Sequence, residues 1–419
     1  MNQTKPSAKI SKIRWFFVLL ILVGAVVNYL DRSNLSIANT LISEEFGLSK
    51  TEMGFLLSAF LWPYAIANLP AGWLVDKIGA KRLFGGAVTL WSFLTILLPF
   101  ATHKLFYLLR AALGIAESPF FPAATKAVNT WFSKEDRGLP LAIVNTGSQV
   151  ANAIAPPLLT ALMLTFGWRG MFLIIGVLGF IVAIVWLLTY KDPTAQELLE
   201  LAQEEGAENV EQLEGSNVSW FDIIKHPSTW YMVIGNFGIV YTMWICLTWL
   251  PAYLVTERGL SLKEMGWMAS IPFLAGIFGV IIGGLVSDAL IRRGWQPISA
   301  RKVPLVVGSL AAAVAFGSVT QVADVNMSIV LLAIGYFAAS MSTGVVWTLA
   351  TDVAPKSMVA SLGSIQNFGG FIGAALAPLV TGFILDATGH FEYAFSVGTV
   401  LLVISAISYG IFLKKRIGE

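Results

Sequence analysis

Long apolar runs follow one another along this 419-residue chain, and a short polar turn separates most of them from the next. A run of about 20 apolar residues is long enough to cross the hydrocarbon core of a bilayer as a helix. Only 12% of the residues are charged, roughly half the share typical of a soluble domain. We therefore predict an all-α membrane protein. Its twelve expected spans are 15–40, 52–75, 83–101, 104–127, 138–163, 168–190, 228–254, 264–290, 303–321, 327–350, 358–385 and 391–413.

The distribution of lysine and arginine supports this number of spans. If both termini lie in the cytoplasm, nineteen of the 27 basic residues fall in cytoplasmic segments and five in external loops. Basic residues gather in the cytoplasmic loops of membrane proteins, and a miscounted span would scramble that bias. The N-terminal apolar run is too long for a signal peptide, and no small-residue cleavage pattern follows it. We interpret it as the first span.

One long polar segment interrupts the series of spans. Residues 191–227 are rich in glutamate and leave six spans on either side. We therefore predict three parts: a six-helix bundle over 1–190, a cytoplasmic linker over 191–227 and a second six-helix bundle over 228–419. An internal repeat supports this division, because "GWLVDKIGAKR" precedes span 3 and "GGLVSDALIRRG" precedes span 9.

Both copies of the repeat place an aspartate four residues after a glycine and basic residues beyond it. Glycine allows close helix packing, and the carboxylate can pair with basic groups, so we predict that these loops close the cytoplasmic face. The alternative is ordinary cytoplasmic positive charge. Lys126, near the end of span 4, is interpreted as a structural residue that reaches the membrane surface. The expected gate residues are Gly72, Asp76, Lys81, Arg82, Arg137, Asp288 and Arg292.

Charged residues inside the spans are concentrated in the first half of the chain. Span 1 carries Asp31 and Arg32, and span 4 carries Arg110 and Glu117. Such groups are costly in a membrane and usually face a protein interior or an aqueous cavity. Arg110 and Glu117 are two helical turns apart and share a face, whereas Asp31 and Arg32 differ by about 100° and need not share a partner. The four groups form either a network that only stabilises the bundle or a functional site.

The motifs in this sequence narrow the interpretation. "YLDRSNLSIA", "RAALGIAESPFFPA", "WFSKEDRG" and "LTWLPAYL", together with the twin Gly–Asp loops, resemble the anion:cation symporter family of the major facilitator superfamily. The resemblance covers the whole chain and implies two pseudo-symmetric six-helix bundles. Its bacterial sugar-acid members carry galactonate, glucarate or hexuronates, so the resemblance implies a transporter of the bacterial inner membrane.

The resemblance also assigns roles to individual residues. It implies that Asp31 and Glu117 take part in proton coupling and that Arg32 holds the substrate carboxylate, a role that suits the planar guanidinium. Arg110 belongs to the charge network. In span 5 the family uses a glutamine, but an ungapped match selects Ser148 rather than Gln149, and both stay candidates. The other implied substrate contacts are Tyr29, Tyr64, Trp347 and Asn367.

Other classes of protein are disfavoured. No phosphate-binding loop, nucleophile constellation or cluster of metal ligands accompanies the buried carboxyl groups, so we do not expect an enzyme, a metal site or a cofactor. No basic stretch with interleaved aromatic residues suggests nucleic-acid binding. We expect a monomer that imports a small carboxylate with protons by alternating access, driven by the proton gradient. A proton-coupled drug antiporter and an uncoupled organic-anion facilitator are the alternatives; Arg32 disfavours the former.

Overall fold

A computed structural model describes residues 8–133, 136–194, 196–197, 220–355, 358–413 and 417. Over these residues the regular secondary structure is entirely helical. Short 3₁₀ and π segments occupy Leu98–Phe100 and Ser408–Phe412. The α-helices are α1 (Ala8–Ile37), α2 (Asn39–Phe46), α3 (Lys50–Ser58), α4 (Leu61–Ile78), α5 (Ala80–Leu97), α6 (His103–Glu117), α7 (Phe120–Trp131), α8 (Gly138–Thr189), α9 (Trp220–Lys225), α10 (Pro227–Thr256), α11 (Leu262–Met268), α12 (Ser270–Arg292), α13 (Pro297–Val319), α14 (Val325–Val353), α15 (Val359–Thr388) and α16 (Phe391–Ile407).

The helices account for twelve membrane spans. In the described part of the chain, ten helical stretches are long and apolar enough to cross a bilayer. One of them, α8, has 52 residues and contains Gly167 in a non-helical conformation with φ 71°, a region that glycine adopts readily. This glycine divides α8 into spans 5 and 6. The paired helices α6 and α7 form span 4, so the predicted number of spans is confirmed.

Span 4 consists of two helices, whereas the sequence predicts a continuous helix over 104–127. Helix α6 ends at Glu117 and α7 begins at Phe120. Proline lacks a backbone N–H group, so Pro119 cannot donate the hydrogen bond that would continue α6, and this explains the interruption. Asn68 Nδ2 donates to the carbonyl oxygen of Ser118 at 3.2 Å and provides a partner for a carbonyl group at the break. As a result, Glu117 occupies the last turn of α6.

The chain forms two compact units that do not follow chain order. The first comprises the described residues of Met1–Leu35, Ala59–Ala155 and Leu162–Glu211, and the second those of Ser36–Ser58, Pro156–Ala161 and Gln212–Glu419. The bundle boundaries at 190 and 228 therefore stay a prediction. Most of the predicted linker, residues 198–219, lies outside the described residues.

Aromatic packing and one glycine contact organise the first unit. Trp186 stacks on Tyr190 with a centroid distance of 4.1 Å, and Phe84 packs against the same indole ring. Between α6 and the start of α4, Gly114 lies so close to Phe60 that a Cβ atom would collide with the Phe60 carbonyl oxygen. This contact holds the turn before α4 directly against span 4.

In the second unit, α3 packs against the end of α15. Asp386 accepts hydrogen bonds from the backbone N–H groups of Lys50 and Thr51, at 2.9 and 2.7 Å. Ser58 Oγ donates to the Ala375 carbonyl oxygen at 2.5 Å. The first four N–H groups of a helix lack partners within the helix, so Asp386 caps α3 from a distant part of the chain.

Candidate functional site

The buried charges lie in the first unit, where α1 contacts α5 and α6. Asp31 has no solvent exposure. Asn34 Nδ2 donates to one of its carboxyl oxygens at 2.8 Å, and Thr95 Oγ1 donates to the other at 2.9 Å. Because Thr95 belongs to α5, the second hydrogen bond joins span 1 to span 3. Two neutral donors thus hold Asp31 inside the unit.

Arg32 has a different partner. Its Nε donates to Glu117 Oε2 at 2.8 Å, and the two side chains are 6% and 0% exposed. Asp31 accepts from Asn34 and Thr95 whereas Arg32 donates to Glu117, so the two residues, about 100° apart around α1, have different nearest hydrogen-bond partners. Glu117 also interacts with Asp31. It therefore links the two residues of α1.

Arg110 completes the cluster. Like Glu117 it is buried on α6, and it interacts electrostatically with Asp31 and Glu117. Its Nε and Nη1 atoms make no hydrogen bond to any residue that the structure describes. The cluster contains two guanidinium groups and two carboxyl groups, so its charges cancel when all four are ionised.

Three aromatic rings surround the guanidinium group of Arg32. Its Cζ atom lies 4.9 Å from the ring centroid of Tyr29, 5.0 Å from that of Phe60 and 4.6 Å from that of Tyr64. Phe60 and Tyr64 stack with centroids 5.5 Å apart. A cation within about 6 Å of an aromatic centroid is attracted by the negative face of the ring. Tyr29 and Tyr64, both predicted substrate contacts, are therefore brought to Arg32.

Two polar atoms at the ion pair lack a hydrogen-bond partner in the described part of the chain. Arg32 Nη2 and Glu117 Oε1 are buried and have no hydrogen-bond partner among the described residues. Most buried polar groups in proteins are hydrogen-bonded to protein or water. Arg32 Nη2 can therefore donate to a further acceptor, and Glu117 Oε1 can accept from a further donor.

The remaining predicted contacts fall into two groups. In the first unit, Ser148 Oγ donates to the Asn145 carbonyl oxygen at 2.7 Å and the Ser148 side chain hydrogen-bonds with Tyr29, while Gln149 is partly buried. Trp347 and Asn367 lie in the second unit. Trp347 is 56% exposed, and its ring lies against Gly363, one turn before Asn367 on α15.

Two residues of the site, Thr95 and Phe60, were not predicted from the sequence. Thr95 is the one hydroxyl residue in the apolar run "FLTILLPF", which follows Ser92 on span 3. A single polar residue in such a run is a signal that its side chain contacts a buried polar group. Phe60 lies in "SAFLWPY" among other apolar residues. Nothing in that pattern distinguishes an aromatic ring that faces a buried arginine from one that faces lipid.

The predicted gate aspartates both form ion pairs. Asp76 Oδ1 accepts from Lys126 Nζ at 2.9 Å, so Lys126 is a partner of the gate residue as well as a structural residue. Asp288 Oδ1 accepts from Arg301 Nη1 at 2.6 Å, and Arg301 Nε also reaches Asp352 at 3.3 Å. Each pair lies within one unit.

One detail of the predicted gate requires correction. A Cβ atom on Gly72 would meet no described atom within 4 Å, so close helix packing at this glycine is wrong. Asp288 pairs with Arg301 and not with Arg292, which lies at the end of the same helix. No ion pair is described for Lys81, Arg82, Arg137 or Arg292 within the described residues, and their part in a gate stays a prediction.

Comparison with known proteins identifies the family. Residues 21–361 match the Major Facilitator Superfamily. The chain belongs to that superfamily. Its fold is the major facilitator fold, with twelve spans in two pseudo-symmetric six-helix bundles, and the protein is a multi-pass membrane transporter and not an enzyme.

Relatives and a solved structure agree with this assignment. The chain is 38% identical over 418 residues to the "Probable L-galactonate transporter" of Escherichia coli K12, covering 99% of this chain and 92% of that protein. It is 34% identical over 404 residues to the "Probable galactarate/D-glucarate transporter GarP" of the same strain, covering 91% and 90%. A bacterial homologue of the human lysosomal transporter Spinster, solved inward-facing and occupied, has the same fold, with TM-score 0.80, 18% identity and 95% and 96% coverage.

Proposed function

We propose that this major facilitator transporter imports a sugar-acid anion together with protons. The names of the relatives indicate the substrate class, and Arg32 provides a cation suited to a carboxylate. Proton-coupled drug antiport and uncoupled transport of an organic anion are the alternatives. A permanent guanidinium in the site disfavours a cationic drug.

The ion pair between Arg32 and Glu117 is the observation that carries the proposal. A substrate carboxylate and the Glu117 carboxylate compete for one guanidinium group. A proton on Glu117 removes its negative charge and frees Arg32 for the substrate, while Arg32 Nη2 already has no acceptor among the residues that the structure describes. Anion binding at Arg32 and proton binding at Glu117 therefore favour each other.

Charge balance leads to the same coupling. The cluster of Asp31, Arg32, Arg110 and Glu117 is neutral when fully ionised, so a bound monoanion adds one uncompensated negative charge. An unpaired buried charge is strongly disfavoured. One proton on Glu117 or Asp31 restores neutrality. If both carboxyl groups take up protons for each monoanion, import is electrogenic and an inside-negative membrane potential accelerates it.

The rest of the transport cycle follows the family pattern. The two bundles rock about the site, and the proton gradient drives accumulation without a cofactor. Tyr29, Tyr64, Ser148, Gln149, Trp347 and Asn367 are proposed to contact the hydroxyl groups of the sugar acid. We propose that the transporter works as a monomer in the bacterial inner membrane, with both termini in the cytoplasm.

Uptake by the purified protein in liposomes tests this function. The substrates are galactonate, glucarate, a hexuronate and an aromatic acid, each with and without an inward proton gradient. We expect at least one sugar acid to accumulate only when the gradient is imposed. Equal accumulation with and without the gradient would indicate uncoupled transport, and uptake of none of the sugar acids would contradict the substrate class.

Glu117→Gln isolates the coupling step. The amide cannot release a proton, so the variant should lose gradient-driven accumulation and keep exchange of labelled for unlabelled substrate. Glu392→Gln is the matched control, because Glu392 is exposed on α16, outside the site. Accumulation that survives in Glu117→Gln at the wild-type level would refute the assigned role.

A further inference from the structure

Phe60 contacts both guanidinium groups of the buried cluster. Its ring centroid lies 5.0 Å from Arg32 Cζ and 5.3 Å from Arg110 Cζ. The side chain is only 2% exposed, and its ring stacks on that of Tyr64. In the described part of the chain, Phe60 is the one aromatic residue whose ring lies against both Arg32 and Arg110.

The backbone around Phe60 fixes the ring in this place. Phe60 lies in the turn between α3 and α4, and its carbonyl oxygen accepts from the Tyr64 N–H at 3.2 Å. On the other side, the closely packed Gly114 of α6 leaves no space for displacement of this carbonyl group. Phe60 is therefore fixed against α6, the helix that carries Arg110 and Glu117.

The Arg32–Glu117 ion pair explains why a ring is needed here. Once Glu117 is protonated, its carboxyl group no longer balances the charge of Arg32 at 2.8 Å. A buried guanidinium without a counter-charge is disfavoured, and the ion pair that fixes its orientation is lost. Aromatic faces attract a cation without carrying a charge, so they hold Arg32 without competing with an incoming anion.

We propose that Phe60 is a positioning residue that keeps Arg32 directed at the substrate site while Glu117 is protonated. This inference rests on the proposed proton-coupled function and extends it to a residue that binds neither substrate nor proton. The ring connects the turn before α4 to both buried arginines.

A double-mutant cycle without substrate tests the proposal. The thermal stability of wild type, Phe60→Leu, Glu117→Gln and the double variant is measured in the absence of any sugar acid. If the ring compensates Arg32, Phe60→Leu lowers Tm more in the Glu117→Gln background than in the wild type. Coupled residues give such non-additive effects, whereas independent ones add. An additive cycle would overturn the proposal.

Phe84→Leu is the matched control for the loss of a buried ring. Phe84 is fully buried in the same unit and packs against Phe120 and Trp186. Its cycle with Glu117→Gln should be additive. If the Phe84 cycle shows the same excess loss of Tm as the Phe60 cycle, the effect is a general destabilisation of the bundle and the proposal fails. If Phe60→Leu is too unstable to purify, Phe60→Met replaces it, since it keeps an apolar side chain without the ring.

The kinetics of substrate transport provide the second readout. With the sugar acid that liposome uptake identifies, Phe60→Leu should raise KM about tenfold and leave kcat within about twofold. An unchanged KM in a variant that folds would contradict the proposal. If the wild type carries no sugar acid, the proposed substrate is wrong, and the ligand-free cycle still decides the role of Phe60.

Discussion

Arg32 of span 1 donates to Glu117 of span 4 at 2.8 Å, and both side chains are buried. The pair connects a guanidinium group that is suited to bind an anion with a carboxyl group that can bind a proton. An anion that takes the place of Glu117 deprives that buried carboxylate of its ion pair with Arg32, which favours its protonation. The coupling proposed for this transporter is a direct consequence of this shared guanidinium.

Arg32→Lys tests the need for a planar, forked donor. Lysine keeps the positive charge but cannot present two parallel N–H groups to a carboxylate. We expect the Kd for the transported sugar acid to rise roughly ten- to hundredfold, as loss of a charged hydrogen bond implies. Thermal-shift titration measures it. A Kd within twofold of the wild-type value would show that the anion binds elsewhere.

Asp31→Asn tests the second carboxyl group. The amide oxygen can still accept a hydrogen bond from Thr95, so the geometry of α1 and α5 is expected to survive. Because the amide does not titrate, gradient-driven accumulation should be lost while exchange persists. Flux assays in liposomes measure both. If accumulation persists at the wild-type level, Asp31 has only a structural role.

The cytoplasmic ion pair of Asp76 and Lys126 predicts a rescue by charge exchange. Both side chains are largely exposed, at 69% and 48%, so breaking the pair should cost at most about 1 kcal/mol of stability. Asp76→Lys should slow transport through repulsion with Lys126. Adding Lys126→Asp should restore the uptake rate, and a double variant as slow as Asp76→Lys alone would exclude a functional pair.

Asp386→Ala removes the cap of α3. Two backbone N–H groups lose their acceptor, and loss of a helix cap typically costs about 1 kcal/mol. Asp386→Asn retains one acceptor oxygen and should have an intermediate effect. The measurement is Tm. A lower Tm is expected in Asp386→Ala, and an unchanged Tm would show that the cap is dispensable.

The apolar runs were sufficient to predict the spans, because a bilayer imposes a length on each helix that the sequence must match. Pro119 carried a signal for the break in span 4, although the expected helix ran through it. The angular offset of Asp31 and Arg32 agrees with their different nearest hydrogen-bond partners, although both residues interact with Glu117. These features depend on neighbours in the chain, which the sequence displays directly.

Partner choice over long separations was less predictable. Asp288 pairs with Arg301 rather than with Arg292 on its own helix, and Asp386 caps a helix more than 300 residues away. Phe60 carries no sequence signal for its contact with two arginines. Each of these depends on how distant helices pack, and a local pattern of hydrophobicity contains no information on that packing.

Proton uptake on substrate binding is the most direct measure of the central claim. Calorimetric titration of the transported sugar acid in buffers of different ionisation enthalpy counts the protons that accompany binding. We predict that wild type takes up protons as it binds the anion and that Glu117→Gln takes up about one proton fewer, as the neutrality of the cluster requires. Binding by the wild type without proton uptake would contradict the competition of Glu117 and the anion for Arg32.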